Sequence, residues 1–530
     1  MRLMLTGRRL ALVTALLLVF ATPASAAEIS FSGAGWGHGV GLSQYGAKAM
    51  GADGNSYEEI IGRYFTGVRI VSVATASSGT FVATDPTPLL IGLLQDSNSV
   101  LFTIASGAAQ LCFDPVGPCV TTAKTGESFR FSPDGSGGCV FLRVGIEANA
   151  SVVGTGATCR ASVRPLSDQT AVRIPFKART YSHGTLRFRQ APSSEKIHTV
   201  YEIGIDDYLM GVSEVPDSWP MAAIEAQVVT SRSYVVRSAL DRGHEGSFDV
   251  SRKEECFCNI RDDTSDLVFR GKDGEIAHPR WVSAVASTAQ KVMSSGGTVA
   301  LGLYSSSSGG WTETYSDVFV GADHPYLISV FDSPTFSESA ANPYASWAAG
   351  YSQDGLATAF GFSWISDVSV TERNQSGSAR TVRFAGIIGG WPAERFVSAL
   401  EVRETLSLRS TTFGISVTSR FDDVLPDYMF AGEVLGLHEL GITLGCTATA
   451  FCPDRAVTRA EMAAFLTRAF SLDGATSVSP FADSEGHVLE AEIGALRASG
   501  ITLGCTATAF CPDRAVTRAE MAAFLVRAVA

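Results

Sequence analysis

The sequence has few charged residues, and acidic residues outnumber basic ones. Charged residues make up 18% of the 530 positions, whereas an average soluble protein has roughly 25%. The formal net charge of -12 argues against nucleic acid as a partner, because phosphate backbones select basic surfaces. Sparse charge with 52 glycines excludes a coiled coil and favours turn-rich β structure. With 45% hydrophobic residues, the chain must bury several cores.

Long apolar runs are also missing, apart from one near the N-terminus. Leu10–Phe20 follows three arginines and precedes the small residues of Ala24–Ala26, which is the order of a secretory signal cleaved after Ala26. A bilayer span needs about 20 apolar residues, so this run is too short to cross a membrane. We therefore expect residues 1–26 to be a signal peptide and the mature chain to be secreted, without a membrane span.

Disulfides are the default for the ten cysteines of an exported chain. Residues 79–164 contain four of them and are expected to form a β-rich insertion with two bridges, whose pairing the sequence leaves open. The four cysteines are Cys112, Cys119, Cys139 and Cys159.

A repeat occupies the C-terminal end. Gly441–Leu466 recurs without a change as Gly500–Leu525, an offset of 59 residues, and such a period marks stacked modules. In the first copy, Thr458 and Glu461 have the spacing of a capping box, which predicts a helix start, and a second helix precedes each copy. A disulfide inside each loop between the helices is geometrically reasonable. These pairs are Cys446 with Cys452, and Cys505 with Cys511.

The repeat resembles the S-layer homology module. The shared features are a leading Phe-x-Asp, a Gly-Ile pair and a Thr-Arg-Ala-Glu helix start, here Phe421, Asp423, Gly441, Ile442 and Thr458–Glu461, then Phe481, Asp483, Gly500, Ile501 and Thr517–Glu520. The resemblance implies two all-α modules, at 420–470 and 480–530, that anchor the chain to secondary cell-wall polysaccharide; the family commonly packs three. Arg459 and Arg518 are the side chains expected to contact the anionic polymer.

The preceding region, residues 27–415, has the pattern of an α+β domain. Short β-like runs separated by Gly, Ser and Asp turns occur at Val68–Val73, Ala171–Phe176 and Val368–Thr371. One clear helix follows Trp219-Pro220 and extends from Met221 to about Leu240, with apolar residues spaced for a buried face.

Three segments of this domain could carry chemistry. The glycines of Gly33–Gly46 surround His38 and allow a close backbone approach; no Gly-Lys-Ser/Thr follows, which argues against nucleotide binding. His38 is either a structural histidine in a tight turn or a group that handles protons or contacts sugar.

The second segment, Tyr201–Pro220, contains Glu214 in an apolar setting that would raise a carboxyl pKa toward that of a general acid. A glutamate favoured by the nearby helix N-terminus is the alternative interpretation. The third segment, Tyr304–Thr314, is serine-rich but lacks Gly-x-Ser-x-Gly, so a serine nucleophile is not indicated.

Together the three segments resemble the stage II sporulation protein D/LytB family. The matching motifs are Tyr208-Leu209, Gly211-Val212, Glu214, Trp219-Pro220, the helix residues Gln227, Arg232 and Tyr234, Ser307–Thr312, Trp36–Ala47 and a terminal element from Arg403 to Thr411. The resemblance implies a catalytic role for Glu214 and His38. It implies substrate binding by Gln44, Trp219, Gln227, Arg232, Tyr234, Ser307, Gly309, Gly310 and Thr312.

Three departures from the family pattern bear on the site. The family usually has Asp-Gln before an aromatic residue and a glycine, but here Asp266 is followed by Leu267, which removes one polar contact candidate. The Gly-His-Gly segment opens the domain instead of closing it, so the site would be assembled from both ends of the chain. Some members bind zinc after the main helix, but the spacing from His244 to Cys258 does not reproduce their ligands. An exported Cys256-Phe-Cys258 is expected to be oxidised or paired elsewhere, so we predict no metal and no cofactor.

The resemblance implies a secreted cell-wall lytic transglycosylase that cleaves peptidoglycan glycan strands and forms 1,6-anhydro-muramoyl ends. Whether the chain is an enzyme stays open at this stage. The first alternative is a glycan-binding modifier that enhances an N-acetylmuramoyl-L-alanine amidase. The second is a structural component of the wall or S-layer.

Overall fold

The computed structural model describes residues 28–113, 118–145, 150–418, 421–424, 428–472 and 479–529. The expected signal peptide, residues 1–26, lies outside the described residues. No helix within these ranges is both long and apolar enough to cross a membrane. Helix and strand each account for 30% of the chain, which confirms the expected mixture of α and β structure.

Twenty-four strands occur in the described ranges. In chain order they are β1 (Glu28–Gly33), β2 (Leu42–Ser43), β3 (Arg69–Ser72), β4 (Leu89–Ser97), β5 (Val100–Ser106), β6 (Ala108–Phe113), β7 (Cys119–Lys124), β8 (Ser128–Pro133), β9 (Cys139–Val144), β10 (Ala150–Gly156), β11 (Arg160–Pro165), β12 (Ala171–Ile174), β13 (Arg179–Ser182), β14 (Gly184–Gln190), β15 (Ile197–Ile203), β16 (Ile260–Arg261), β17 (Lys291–Ser295), β18 (Thr298–Val299), β19 (Tyr304–Ser305), β20 (Trp347–Ser352), β21 (Trp364–Arg373), β22 (Ala379–Ile388), β23 (Trp391–Ser398) and β24 (Phe413–Thr418). All three predicted β-like runs therefore contain strands.

Sixteen α-helices occur in the same ranges. They are α1 (Gln44–Ala52), α2 (Tyr57–Tyr64), α3 (Val73–Ala76), α4 (Phe81–Thr84), α5 (Ile205–Met210), α6 (Met221–Arg242), α7 (Val250–Glu255), α8 (Lys272–Ala277), α9 (Pro279–Ser287), α10 (Tyr315–Val318), α11 (Gln353–Phe360), α12 (Ala399–Thr405), α13 (Ala431–Glu439), α14 (Arg459–Ala469), α15 (Glu490–Ala498) and α16 (Arg518–Val529).

The part of the chain before the repeats, residues 28–418, is called the body here. Two large antiparallel sheets form its β layers. Their strand orders are β10-β9-β8-β5-β12-β13 and β16-β4-β15-β14-β11-β6-β7, in which only β16 is parallel to its neighbour. Their inner faces meet in a core that includes Phe102, Phe131, Phe141 and Phe188, with Phe131 stacked on Phe188 at 4.6 Å. Burial of such aromatic side chains supplies most of the stabilisation between packed sheets.

The region 79–164 is β-rich as expected, but it does not stand apart from the rest of the body. Its strand β4 pairs with β15, and β11 pairs with β14. Both partners follow residue 164, so the cysteine-containing strands are part of the two shared sheets. The sequence could not show this, because strand pairing is set by contacts between distant residues.

Helix α6 is the predicted main helix, and it is buried along much of its length. It begins directly after Pro220, whose restricted backbone suits a helix start. The prediction of a single main helix was incomplete, because α1 and α2 pack against α6. Helix α1 begins inside the glycine-rich segment, where Ser43 caps it by accepting a hydrogen bond from the Gly46 N–H at 3.4 Å.

The two ends of the body are joined in one small sheet. Strand β1 lies between β20 and β24, with Gly33 opposite Phe413. The adjacent sheet β21-β22-β23 packs with α11 and α12 over a separate core. The pairing of β1 with β24 brings the glycine-rich segment next to the terminal element that begins at Arg403.

The C-terminal repeats each contain two helices, α13 with α14 and α15 with α16. Both capping boxes form, because Thr458 and Glu461, and likewise Thr517 and Glu520, exchange side-chain and backbone hydrogen bonds. Residues from the two repeats share one core, which includes Leu466, Ile493 and Leu496.

All ten cysteines are paired. The two predicted bridges in the repeats, Cys446 with Cys452 and Cys505 with Cys511, are confirmed. The two bridges that the sequence left unassigned are Cys112 with Cys119 and Cys139 with Cys159. Cys256 is bonded to Cys258 and so cannot supply a thiolate to a metal.

Candidate active site

A cavity of about 530 Å³ contains the two side chains expected to be catalytic, Glu214 and His38. It is lined by His38, Glu214, Tyr234, Thr264, Ser265, Asp266, Leu267, Val268, Gly302, Leu303, Tyr304 and Phe319. These residues come from widely separated parts of the chain, as expected for a site built from both ends of the domain.

The glycine-rich segment places His38 in this cavity by lying directly against residues 303–313. Strand β2 pairs in parallel with β19, and Val40 forms a bridge with Glu313. A Cβ on Gly41 would lie 2.2 Å from the Leu303 carbonyl oxygen, and its φ of +77° is in the left-handed region. The close backbone approach predicted for these glycines is therefore present, since a side chain there would separate the two segments.

His38 is held as a neutral ring. Its Nδ1 accepts a hydrogen bond from the Val40 N–H at 3.0 Å, which fixes the tautomer with the proton on Nε2. Burial and the nearby Arg403 charge lower the pKa of His38 to about 4, against the opposing effect of a hydrogen bond to the Tyr304 backbone. At neutral pH, His38 is therefore suited to a fixed hydrogen-bonding role in the cavity wall and not to carrying a proton.

Glu214 lies on the loop between α5 and α6. Val212 and Val215 on either side of it are buried. Arg280 clamps the loop by donating from Nη1 to the carbonyl oxygens of Asp217 at 2.6 Å and Trp219 at 2.8 Å. The loop is therefore held just before the helix start, which restricts the position of Glu214 in the cavity.

The surroundings of Glu214 raise the pKa of its carboxyl group. Burial raises the pKa of Glu214, while a hydrogen bond from Tyr304 and the charge of Arg270 oppose this shift. Burial disfavours a carboxylate because the ion loses its hydration. A carboxyl group of this kind can act as a general acid closer to neutral pH than an exposed glutamate.

A series of hydrogen-bonded polar side chains holds Glu214 in position. Gln44 donates from Nε2 to the Glu214 carbonyl oxygen and to Gln227 Oε1, both at 3.3 Å. Gln227 donates to Ser231 Oγ at 3.1 Å, and Ser231 in turn bonds the Tyr304 hydroxyl. Gln44 and Gln227 are both buried, so they position Glu214 and Tyr304 and do not reach a ligand in the cavity.

Asp266 is the second carboxylate of the cavity wall, but it is already engaged. It accepts hydrogen bonds from Arg242 Nη1 at 2.6 Å and from the Tyr234 hydroxyl at 2.5 Å. Burial would raise the pKa of Asp266, but these bonds outweigh it and lower the pKa. The pKa values of Glu214 and Asp266 are thus shifted in opposite directions, so Glu214 is the more readily protonated of the two carboxyl groups.

Arg232 does not reach the cavity, which corrects its expected role in substrate binding. Its side chain is fully buried, and Nε donates to Asp206 Oδ1 at 2.7 Å. The remaining guanidinium nitrogens donate to Thr288, Val285 and Lys291. Arg232 therefore ties α6 to its neighbours, because a buried guanidinium must satisfy its donors within the protein.

Trp219 and the 307–312 segment also lie outside the cavity. Trp219 is buried, with its ring 5.1 Å from that of Tyr45. Ser307 and Thr312 are buried and bonded within the protein, Ser307 to Thr335 and Asn342, and Thr312 to Ile328. Gly309 and Gly310 have φ values of +77° and +112° and allow the chain to turn there. Of the expected substrate-binding residues, only Tyr234 lines the cavity.

His38 also separates the main cavity from a smaller one of about 190 Å³. The smaller cavity is lined by Gly37, His38, Asp317, Val318, Asn374, Ala379, Arg380, Ser398, Leu400, Arg403 and Thr411. Arg403 thus faces His38 from the terminal element of the body, which β24 holds against β1.

Arg459 and Arg518 have different environments, although they occupy the same position in the two repeats. Arg459 is 2% exposed; its Nε donates to the Phe510 carbonyl oxygen at 2.7 Å and its Nη1 pairs with Glu520 at 2.8 Å. It is consequently not available to a wall polymer, which corrects the expectation for this residue. Arg518 is exposed.

Sequence reasoning missed Tyr304 as the partner of Glu214, and Phe319 as part of the wall. Tyr304 stands at the start of the serine-rich segment, but its position three residues before Ser307 carries no signal of contact with Glu214. Only the parallel pairing of β19 with β2 brings it to the cavity.

Comparisons with known proteins agree with both resemblances. Residues 193–294 match the family model described as stage II sporulation protein, and residues 420–463 match the model of the S-layer homology domain. The chain therefore contains a region of each family, and the first region includes Glu214, α6 and Asp266.

Three curated relatives share parts of the sequence. An endoglucanase of Bacillus sp. (strain KSM-635) is 35% identical over 108 residues, which are 20% of this chain and 11% of that protein. An uncharacterized protein of Brachyspira hyodysenteriae is 30% identical over 152 residues, 28% of this chain and 37% of the relative. An amidase enhancer of Bacillus subtilis is 47% identical over 45 residues, 8% of this chain and 6% of the relative.

The chain spans less than two fifths of the length of each of these relatives. The similarity to the amidase enhancer supports the stage II sporulation protein assignment. The two matched regions identify a protein associated with the cell wall or cell surface.

Proposed function

We propose that the chain is a secreted cell-wall lytic transglycosylase that acts on peptidoglycan glycan strands. The observation that carries the proposal is the cavity in which Glu214 has a raised pKa while Asp266 is held ionised. A neutral carboxylic acid in a groove can protonate a glycosidic oxygen.

Glu214 would act twice in the reaction. As an acid, it donates its proton to the oxygen that joins a muramoyl residue to the next sugar, and that bond breaks. As a carboxylate, it then accepts the proton of the muramoyl 6-hydroxyl while that oxygen bonds the anomeric carbon. The products are a 1,6-anhydro end and a free hydroxyl on the leaving sugar, and Glu214 is protonated again.

An internal nucleophile explains why one accessible carboxyl group suffices. Hydrolytic glycosidases use two carboxyl groups, one of which activates water or attacks the sugar. The Asp266 side chain is fully buried and paired with Arg242, so it is not available for that second role. The neutral His38 and the Tyr304 hydroxyl would hold the sugar and the carboxylate in place.

The test is to incubate purified mature protein with glycan strands, with and without stem peptides, and to look for anhydro ends by mass spectrometry. Anhydro ends support the proposal. Reducing ends with no anhydro product would indicate hydrolysis, and unchanged strands would contradict an enzymatic role.

Replacing Tyr304 with Phe should move the alkaline limb of the pH-rate profile to higher pH. The Tyr304 hydroxyl stabilises the Glu214 carboxylate and opposes the effect of burial, so its removal raises the pKa of Glu214 further. The reaction begins with protonated Glu214, and activity therefore falls as the pH rises through that pKa. The measurement is kcat/KM for formation of anhydro ends across pH.

Tyr234→Phe is the matched control, because Tyr234 lines the same cavity but bonds Asp266. Its alkaline limb should stay where it is in the unmodified protein. A limb that does not move in Tyr304→Phe, or that moves to lower pH, would contradict the proposed pairing.

The second candidate function is enhancement of a wall amidase without catalysis. The similarity to the amidase enhancer of Bacillus subtilis favours it. In this case the same cavity would hold glycan, and amidase stimulation in a mixed assay would survive Glu214→Gln. Loss of stimulation together with loss of anhydro ends would favour the enzyme.

The repeats would anchor the chain to secondary cell-wall polysaccharide, with Arg518 as the contact to the anionic polymer. Arg518→Ala should reduce retention on isolated walls more than a moderate increase in salt does, because the acidic chain is repelled by an anionic wall and depends on specific contacts. The measurement is a sedimentation assay with walls. Arg173→Ala is the control, since Arg173 is an exposed arginine on β12; equal loss in both variants would contradict the assignment.

A further inference from the structure

The same helix is buried in the first repeat and exposed in the second. Residues 459–466 and 518–525 have the same sequence, Arg-Ala-Glu-Met-Ala-Ala-Phe-Leu. In α14, Met462 is 8% exposed and Leu466 is 4% exposed. In α16, their counterparts Met521 and Leu525 are 36% and 45% exposed. One face of α16 is therefore open where the identical face of α14 is covered.

The second repeat is what covers α14. Helix α15 packs against α14 through Ile493 and Leu496, both fully buried. The loop before α16 caps the start of α14, because the Arg459 and Ala460 N–H groups donate to the carbonyl oxygens of Arg514 at 2.9 Å and Pro512 at 3.0 Å. At the side of the helix, Arg468 pairs with Glu492 at 3.7 Å.

The first repeat carries most of the same covering residues, and several of them are exposed, although Val434, the counterpart of Ile493, is buried within its own repeat. The counterparts of Pro512, Arg514 and Glu492 are Pro453, Arg455 and Glu433, 59 residues earlier in the chain. Arg455 and Glu433 are exposed. Leu437, the counterpart of the fully buried Leu496, is 37% exposed.

Nothing else in the described part of the chain occupies the open face of α16. The N–H groups of Arg518 and Ala519 have no protein acceptor within the described ranges, although their counterparts in α14 do. Position 526 is valine and 65% exposed, while its counterpart Thr467 is 7% exposed. The open face is thus at least as apolar as the covered one.

We propose that the open face of α16 binds the first repeat of a second copy of this chain. The contact would repeat the one between the two repeats of a single chain. In it, Leu525 packs on Leu437 of the second copy, and Arg527 pairs with Glu433 as Arg468 pairs with Glu492. The second copy is the occupant because it presents the same residue type at the covering positions Pro453, Arg455 and Glu433.

The contact joins two different surfaces, so it leads either to a closed ring or to a growing row of copies. Either outcome would place several catalytic bodies side by side. A contact that repeats the one around Arg459 would also cover Arg518, so an α16 that binds a second copy would not present Arg518 to polymer, and only the free end of an open row would do so.

The experiment is sedimentation equilibrium on the purified mature chain over a range of concentrations. The unmodified chain should show a mass that increases with concentration. Leu525→Asp should weaken this association about 10- to 100-fold, because it places a charge where a leucine would be buried. Leu166→Asp is the matched control, since Leu166 is 54% exposed on the body, and it should associate like the unmodified chain.

A charge exchange tests the pairing itself. Arg527→Glu and Glu433→Arg should each weaken association, and the variant with both changes should recover it. Arg173→Glu should have no effect. Arg518 is not substituted in this experiment, because it would lie within the proposed contact and also has the proposed role in wall binding, so its loss would not distinguish the two.

A chain that stays monomeric at every concentration would overturn the proposal. Association that Leu525→Asp and Arg527→Glu leave unchanged would overturn it too, because another surface would then be responsible. If Leu525→Asp lowers wall retention while both proteins stay monomeric, the face binds polymer and not a second copy. Circular dichroism of each variant shows that the fold is retained.

Discussion

Replacing Glu214 with Gln should reduce the formation of anhydro ends by about 100- to 10,000-fold, the usual contribution of a positioned general acid. Glutamine has the shape of glutamate and can still accept the hydrogen bond of Tyr304, so the cavity should be preserved. It cannot donate a proton to the glycosidic oxygen or accept one from the 6-hydroxyl. The measurement is the rate of anhydro-end formation with saturating glycan strands, followed by mass spectrometry.

Glu225→Gln is the matched control for this change. Glu225 lies on α6, immediately after the Glu214 loop, but its carboxylate accepts a hydrogen bond from Ser287 at 2.6 Å and does not line the cavity. This variant should retain full activity. Undiminished activity of Glu214→Gln would exclude Glu214 from proton transfer and would leave the amidase-enhancer function as the better candidate.

Arg459→Ala should destabilise the repeats by about 2 to 3 kcal/mol, whereas Arg518→Ala should change stability by less than about 0.5 kcal/mol. Removal of Arg459 leaves a cavity beside Phe510 and Phe524, whose rings lie 4.8 and 5.3 Å from the guanidinium carbon. It also removes the Glu520 pair between the repeats. The expected loss of stability is moderate because Glu520 keeps its second partner, Arg514.

The measurement is hydrogen exchange of the peptides that cover α14 and α16 in each variant of the full chain, with the first-repeat helix exchanging faster in Arg459→Ala. The two arginines have identical neighbours in sequence, so local helix propensity cancels in the comparison. Equal effects of the two substitutions would show that the contact between the repeats contributes nothing to stability.

The repeats also show how far sequence reasoning extends. Caps, helix starts and loop disulfides were predicted correctly, since each depends on residues a few positions apart. The environment of Arg459 was not, because it depends on Glu520 and Phe510, which are 61 and 51 residues later in the chain. Identical sequence could not distinguish the buried arginine from the exposed one.

In the body, too, features that depend on nearby residues were predicted correctly, and those that depend on contacts between distant residues were not. The position of α6 and the close approach of the glycines were predicted from local pattern, and the structure places His38 and Glu214 in one cavity. The motif residues Gln227 and Arg232 were expected to contact substrate, but both are buried and hold the framework. A motif identifies residues that a site requires, and only their contacts separate those that touch a ligand from those that support the ones that do.

The pairing of β1 with β24 affects when activity can first appear. Residues 38, 214 and 304 all line the cavity, and strand β24, which completes the small sheet with β1, ends at residue 418. Contacts between such distant residues form late in folding, because a long loop must close first. A chain still being exported would hold Glu214 without the sheet that completes its surroundings. Under the proposed function of a secreted transglycosylase, the fold itself would then delay cleavage of the wall until almost the whole body had left the cell.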